Sequence, residues 1–147
     1  MIVENDFPWQ EHHWRSLQSA YRTSPFFEYY EDDLEPLFTE PVAGLMEHNL
    51  KIFDLLCELL GIELEISKTT SYEKKPEIID LRILVDAKRK STFQPETYTQ
   101  VHQANHPFLP NLSILDLLFN EGPNALNYLE NAPLPVGHFP KRENSSE

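Results

Sequence analysis

The sequence predicts an α/β chain that is mainly helical, with a small strand component of two to four short strands. Three observations predict it. Apolar residues recur at helical spacing from Val42 to Leu60, over about five turns. Directly after Gly61 the period drops from 3.6 to 2, with Ile62, Leu64 and Ile66 alternating with Glu63 and Glu65. Proline or a short polar side chain stands where each helical run should begin: Asp6 and Pro8, Ser24 and Pro25, Pro41, and Ser113.

The first helix is expected from about Phe7 to Arg22, with Asp6 as its cap and Pro8 in its first turn. Trp14, Leu17 and Tyr21 share one face, and Trp9 and His13 lie near it one turn earlier. Ser24 and Pro25 should cap and open a second helix, which Pro36 breaks or bends near its end. The third helical run spans Val42 to Leu60. Val42, Leu45, Met46, Asn49, Ile52, Phe53, Leu56, Leu59 and Leu60 form a stripe that reads as core, and Gly61 supplies a left-handed cap. Ile62–Ile66 then reads as a half-exposed strand. A polar linker from Ser67 to Pro76 follows, and Ile78–Val85 is either strand or short helix. Ser91–Gln100 reads as loop, with Tyr98–Val101 as a candidate short strand. Ser113 caps the next helix with Asp116 three residues on, a capping-box spacing. Ile114, Leu115, Leu117, Leu118 and Phe119 make that helix apolar nearly all round, so it should be buried. Gly122 and Pro123 end it, and one or two further turns place Ala125, Leu126, Tyr128 and Leu129 inward. Residues 1–132 are expected to form a single domain and 133–147 a flexible tail.

The 147 residues suffice for one modest core. The formal charge of −12 excludes a phosphate backbone as partner, which requires a basic surface. The excess is concentrated in residues 1–60, with twelve Asp/Glu against three Lys/Arg. The dense basic cluster Lys88-Arg89-Lys90 reads as a solvated turn. The single cysteine, Cys57, rules out an internal disulfide and sits in an apolar stripe, which suits core rather than a nucleophile. No apolar run is long enough to span a membrane, and the first ten residues do not resemble a signal peptide. These features predict a cytoplasmic protein.

The stretch from Glu11 to Asp33 is dense in His, Trp, Tyr and Phe and ends in carboxylates. His13, Trp14, Arg15 and Tyr21 together offer a stacking plane, a cation and an imidazole that titrates near neutrality. Those parts suit a sugar or nucleotide ligand. The plainer reading, preferred on residue types alone, makes Trp14 and Tyr21 core and pairs Arg15 with a nearby carboxylate. Glu31-Asp32-Asp33-Glu35 reads as a solvated face before a cation site. His102 and His106 are four apart, but Pro107 disfavours helix there and no cysteine pair accompanies them, so no metal site is expected. There are only four glycines, so a phosphate-cradling loop has no material, and no cofactor is implied.

Two blocks carry a family resemblance: WQEHHWRSLQSAYRTSPFFEYYEDDLEPLF, residues 9–38, and YTQVHQANHPFLPNLSILDLLFNEGPNALNYL, residues 98–129. With LLCELLGIELEI at residues 55–66, they resemble the WbqC-like proteins, and Asn111 to Asn120 is the most diagnostic run. The resemblance implies a link to bacterial surface-polysaccharide (O-antigen) synthesis, with a transferase acting on a nucleotide-activated or lipid-linked sugar. Such proteins normally begin with a strand and a motif like HQPxYxPxxxYF, which is absent here, so an α/β fragment lacking the N-terminal portion is expected. On this reading His13 and Asp116 are the catalytic candidates, while Trp14, Arg15, Tyr21 and Asn120 contact substrate. His13 is the acid–base group and Arg15 the anion partner. The alternatives are a non-catalytic helical module whose aromatic face docks another protein chain, and an inactive truncated form.

Overall fold

The computed structural model describes residues 2–74 and 94–133. Six helices hold about half of these residues: α1 (Trp9–Tyr21), α2 (Phe27–Leu34), α3 (Pro36–Thr39), α4 (Leu45–Leu60), α5 (Ile114–Glu121) and α6 (Ala125–Asn131). The chain is mainly helical, as the periodicities predict. The small strand component is minor: among the described residues it is one antiparallel bridge, Ile2 with Gly44.

Helix α1 starts two residues later than expected, with Pro8 at the capping position and no side-chain cap. The Asp6 backbone N–H donates locally to the Glu4 carboxylate, two residues back. Helix α2 also starts late, at Phe27 rather than Pro25. The cause is tertiary. The Phe26 backbone N–H donates to the Phe119 carbonyl on α5 at 3.0 Å, which holds Phe26 outside the helical ladder. Pro36 interrupts the helix as expected, but only for the single residue Glu35, after which α3 continues the turn.

Val42 is buried, yet α4 begins only at Leu45. The intervening chain is extended and strapped to the N-terminus: Val3 N–H donates to the Ala43 carbonyl at 3.1 Å, and the Asn5 amide to the Val42 carbonyl at 2.9 Å. At the far end Gly61 has φ 71°, with Gly61 N–H bonded to Glu58 and Ile62 N–H to Cys57. This pair of bonds is a Schellman cap, and it satisfies two carbonyls the helix would leave open.

The core joins Trp14 of α1, Phe27, Tyr30 and Leu34 of α2, Leu37 of α3, Leu117, Leu118 and Phe119 of α5, and Ala125 of α6. Helix α4 contributes no buried residue. Its Ile52, Leu55, Leu56, Leu59 and Leu60 rest against the core from outside. Leu45, Met46 and Phe53, read from sequence as core, are exposed, Met46 to 52% and Phe53 to 43%. An amphipathic period fixes which residues share a face; it does not fix how much neighbouring chain covers that face.

Residues 62–66 are extended but pair with no described strand, and Leu64 and Ile66 are exposed. The Ile78–Val85 segment and the tail beyond residue 133 lie outside the described residues. Residues 94–100 are irregular, so Tyr98–Val101 is not a strand. Ser113 caps α5 as expected, its hydroxyl accepting from Leu115 N–H at 3.3 Å. Asp116 does not close the capping box; its carboxyl is drawn inward to Tyr98 instead.

A candidate site around Asp116

Asp116 sits in the first turn of α5 and is 1% exposed. Its Oδ2 accepts a hydrogen bond from the Tyr98 hydroxyl at 2.8 Å. Its Oδ1 is buried and has no hydrogen-bond partner. Such an atom costs about 1–3 kcal/mol of desolvation that nothing offsets, so it calls for an explanation. The Asn120 side-chain amide donates to the Asp116 carbonyl one turn back, at 2.7 Å, which fixes Asn120 beside it.

Two elements bring aromatic groups to this carboxyl, and a third supports one of them. Tyr21 comes from the last turn of α1 and packs on Phe119, ring centroids 5.0 Å apart. Its hydroxyl pKa is pushed up to about 12 by burial first and by the Asp116 charge second. Tyr98 comes from the irregular chain before residue 100 and meets Tyr128 of α6 edge-on at 5.2 Å. Burial also raises its hydroxyl pKa, a bond with Gln100 acts against that, and Asp116 raises it further. The Tyr98 segment is held by the buried Gln100, whose amide closes a two-bond clamp on Leu109: Nε2 to its carbonyl at 2.8 Å, and its N–H to Oε1 at 2.9 Å.

Of the residues singled out in the sequence, Tyr21, Asp116 and Asn120 therefore converge. Trp14 lies two turns before Tyr21 on the same face of α1, in the core, stacked on Phe38 at 5.3 Å and tilted against Phe27 at 6.3 Å. His13 and Arg15 flank Trp14 in sequence and so leave α1 about 100° to either side of it. Both are exposed. His13 meets Trp9 edge-on at 5.5 Å, and Arg15 pairs with Glu11 at 2.6 Å. Trp9 also meets His48 of α4, whose pKa is lowered by burial and then by Lys51. Tyr98 and Gln100 escaped the sequence reading, although both lie in the second block; no local pattern marks a side chain whose partner is 18 residues away.

Asp32, Asp33 and Glu35 are exposed, and Glu31 pairs with Arg22 at 3.3 Å and with the Gln18 amide at 2.9 Å. Among the described residues no group of three or more His, Cys, Asp or Glu is placed to hold a metal. Nor is any described helix long and apolar enough to cross a membrane.

Comparison with known proteins gives the family of the chain. The model of the WbqC-like protein family matches residues 1–92 and 77–128. The chain belongs to the WbqC-like protein family. The matched stretches take in every residue of the Asp116 centre as well as His13, Trp14 and Arg15. A curated relative in sequence, "Uncharacterized protein Rv1507c" of Mycobacterium tuberculosis, is 28% identical over 82% of this chain and 64% of its own length. The chain thus spans less than two thirds of that relative. No solved structure matches it.

Proposed function

We propose that this WbqC-like chain serves bacterial surface-polysaccharide (O-antigen) synthesis, acting as or derived from a transferase on a nucleotide-activated or lipid-linked sugar. The observation that carries the reading is Asp116 Oδ1, a buried carboxyl oxygen without a partner, beside Tyr21 and Asn120. Unsatisfied buried polar atoms concentrate where a fold gives up stability for chemistry. In this reading a hydroxyl or amine of the acceptor sugar donates to Oδ1. Asp116 takes that proton as the nucleophile attacks the activated carbon, and Tyr21 and Asn120 orient the ring. As that bond forms, the bond from the carbon to the donor phosphate breaks, the phosphate leaves with the electron pair, and Arg15, exposed on a neighbouring face of α1, binds it. Its exposed pairing with Glu11 is worth about 0.3–0.5 kcal/mol, so exchange for a phosphate costs little. His13 on the same helix is the second proton carrier, and Trp14 holds α1 in place.

The test is titration of the full chain with a panel of nucleotide-activated sugars, followed by nuclear magnetic resonance. The reading requires shifts at Tyr21, Asp116 and Asn120, and transfer that Asp116→Asn lowers at least about 100-fold while binding survives. Arg15→Ala should weaken binding and His13→Ala should slow transfer. Binding and transfer untouched by Asp116→Asn would exclude it.

A second reading, a non-catalytic helical interaction module, is favoured by the exposed apolar residues of α4, Leu45, Met46 and Phe53.

A further inference from the structure

Beside α4 runs an open groove of about 860 Å³, bounded by the α2–α3 corner on one side and by the extended chain 64–68 on the other. Its apolar lining comes from Leu37, Leu50, Leu55, Leu64 and Ile66. Its charged lining is four carboxylates, Asp33, Glu47, Asp54 and Glu58, against two cations, Lys51 and Lys68, an acidic excess of two. Glu47, Asp54 and Glu58 recur at seven- and four-residue spacing, so they form one ridge along α4, with Lys51 between them. Lys51 is already engaged by Glu40, outside the groove. Among the described residues no cation pairs with any of the four groove carboxylates.

We propose that this groove is a docking site for an amphipathic helix of a partner protein, one that presents leucine-like side chains along one face and Lys or Arg along its flanks. The apolar floor and acidic rim are the two halves of that complement. Leucines at i, i+3, i+4 and i+7 cover Leu50, Leu55 and Leu64, and flanking cations reach the ridge of Glu47, Asp54 and Glu58. Leu64 and Ile66, exposed among the described residues, are the groove side chains such a helix would take out of water. The proposal goes beyond the sugar-transferase reading and shares no residue with the Asp116 centre, so either can fail alone.

The probe is a synthetic helix of about 18 residues, long enough to hold its fold, with leucines at that spacing and lysines elsewhere. Its mirror carries glutamates in place of the lysines. Both are titrated into the full chain, with amide shifts mapped and the oligomeric state followed by sedimentation. The basic helix should bind one to one, shift Leu50, Asp54, Leu55 and Leu64, and weaken as salt rises. Glu47→Lys with Glu58→Lys should cost about ten-fold or more in affinity, while Glu28→Lys, a charge reversal on α2 away from the groove, should not. The acidic mirror should not bind. Shifts spread evenly over the acidic surface, equal loss from Glu28→Lys, or no binding would each overturn the proposal. So would self-association through the groove, or protection of the groove in the free chain by its own residues 75–93.

Discussion

At Asp116 the fold keeps a carboxyl in its interior with one bond where two or more are usual. Tyr98 supplies that bond, so replacing its hydroxyl removes the donor to Oδ2 and leaves Tyr21 as the phenol coupled to the carboxyl. Tyr98→Phe should therefore destabilise the chain by about 1–3 kcal/mol, read as a lower urea midpoint with an unchanged slope. Asp116→Asn should cost less, because an amide oxygen still accepts from Tyr98 without a charge to bury. The two phenols also set an alkaline limit. In the unfolded chain each loses its proton near pH 10, whereas folded Tyr21 holds its proton to about 12 and Tyr98 is raised as well. Between those values the unfolded chain binds fewer protons than the folded one, so stability falls as pH rises. Thermal melts between pH 9 and about 12 should show that fall, and Tyr21→Phe should flatten it. Sequence reasoning reached Asp116 through its spacing from Ser113, a local pattern. It could not reach Tyr98, because the contact that defines Tyr98's role is made only when the irregular chain before α5 folds back.

Among the elements, the two helix ends closed by glycine separate backbone strain from crowding. Gly61 has φ 71° and open space around the position a Cβ would take, so Gly61→Ala tests conformation alone. It should cost about 1 kcal/mol. Gly122 has φ 53°, and a Cβ there would stand 2.5 Å from the Phe26 ring. Gly122→Ala must both strain the backbone and push Phe26 away from the α5 contact, so its loss of stability should exceed that of Gly61→Ala in the same unfolding measurement. The Gly61 stop was legible because a left-handed cap needs glycine whatever surrounds it. The starts of α1, α2 and α4 were not. The starts of α2 and α4 are set by bonds from another part of the chain, Phe119 to Phe26 and the N-terminal strap to residues 42 and 43, and that of α1 by the local bond that draws Asp6 to Glu4. Capping rules describe an isolated helix, and the starts of α2 and α4 are not isolated.

For the molecule as a whole, two helices of similar apolar pattern met different fates. Helix α5 is short and apolar nearly all round, and α1, α2 and α6 enclose it; Phe119 is fully buried. Helix α4 is longer and more regular, yet only one side of it meets the core. Hydrophobic periodicity reports the face a sequence would bury, and burial itself needs a surface to bury it against. The helical class and the α5 interior were therefore legible, and the open flank of α4 was not. That difference has an energetic signature. Phe119→Ala removes a buried ring and should cost about 3–5 kcal/mol. Met46→Gln with Phe53→Gln removes side chains that are already about half in water, so unfolding should shift by well under about 1 kcal/mol. The same double substitution should sharply lower binding of an apolar fluorescent dye to the native chain, because Met46 and Phe53 are the most exposed large apolar side chains of α4. A loss for the double variant as large as for Phe119→Ala would mean that α4 is covered in solution by chain not seen against it, and the surface ascribed to it here would not exist.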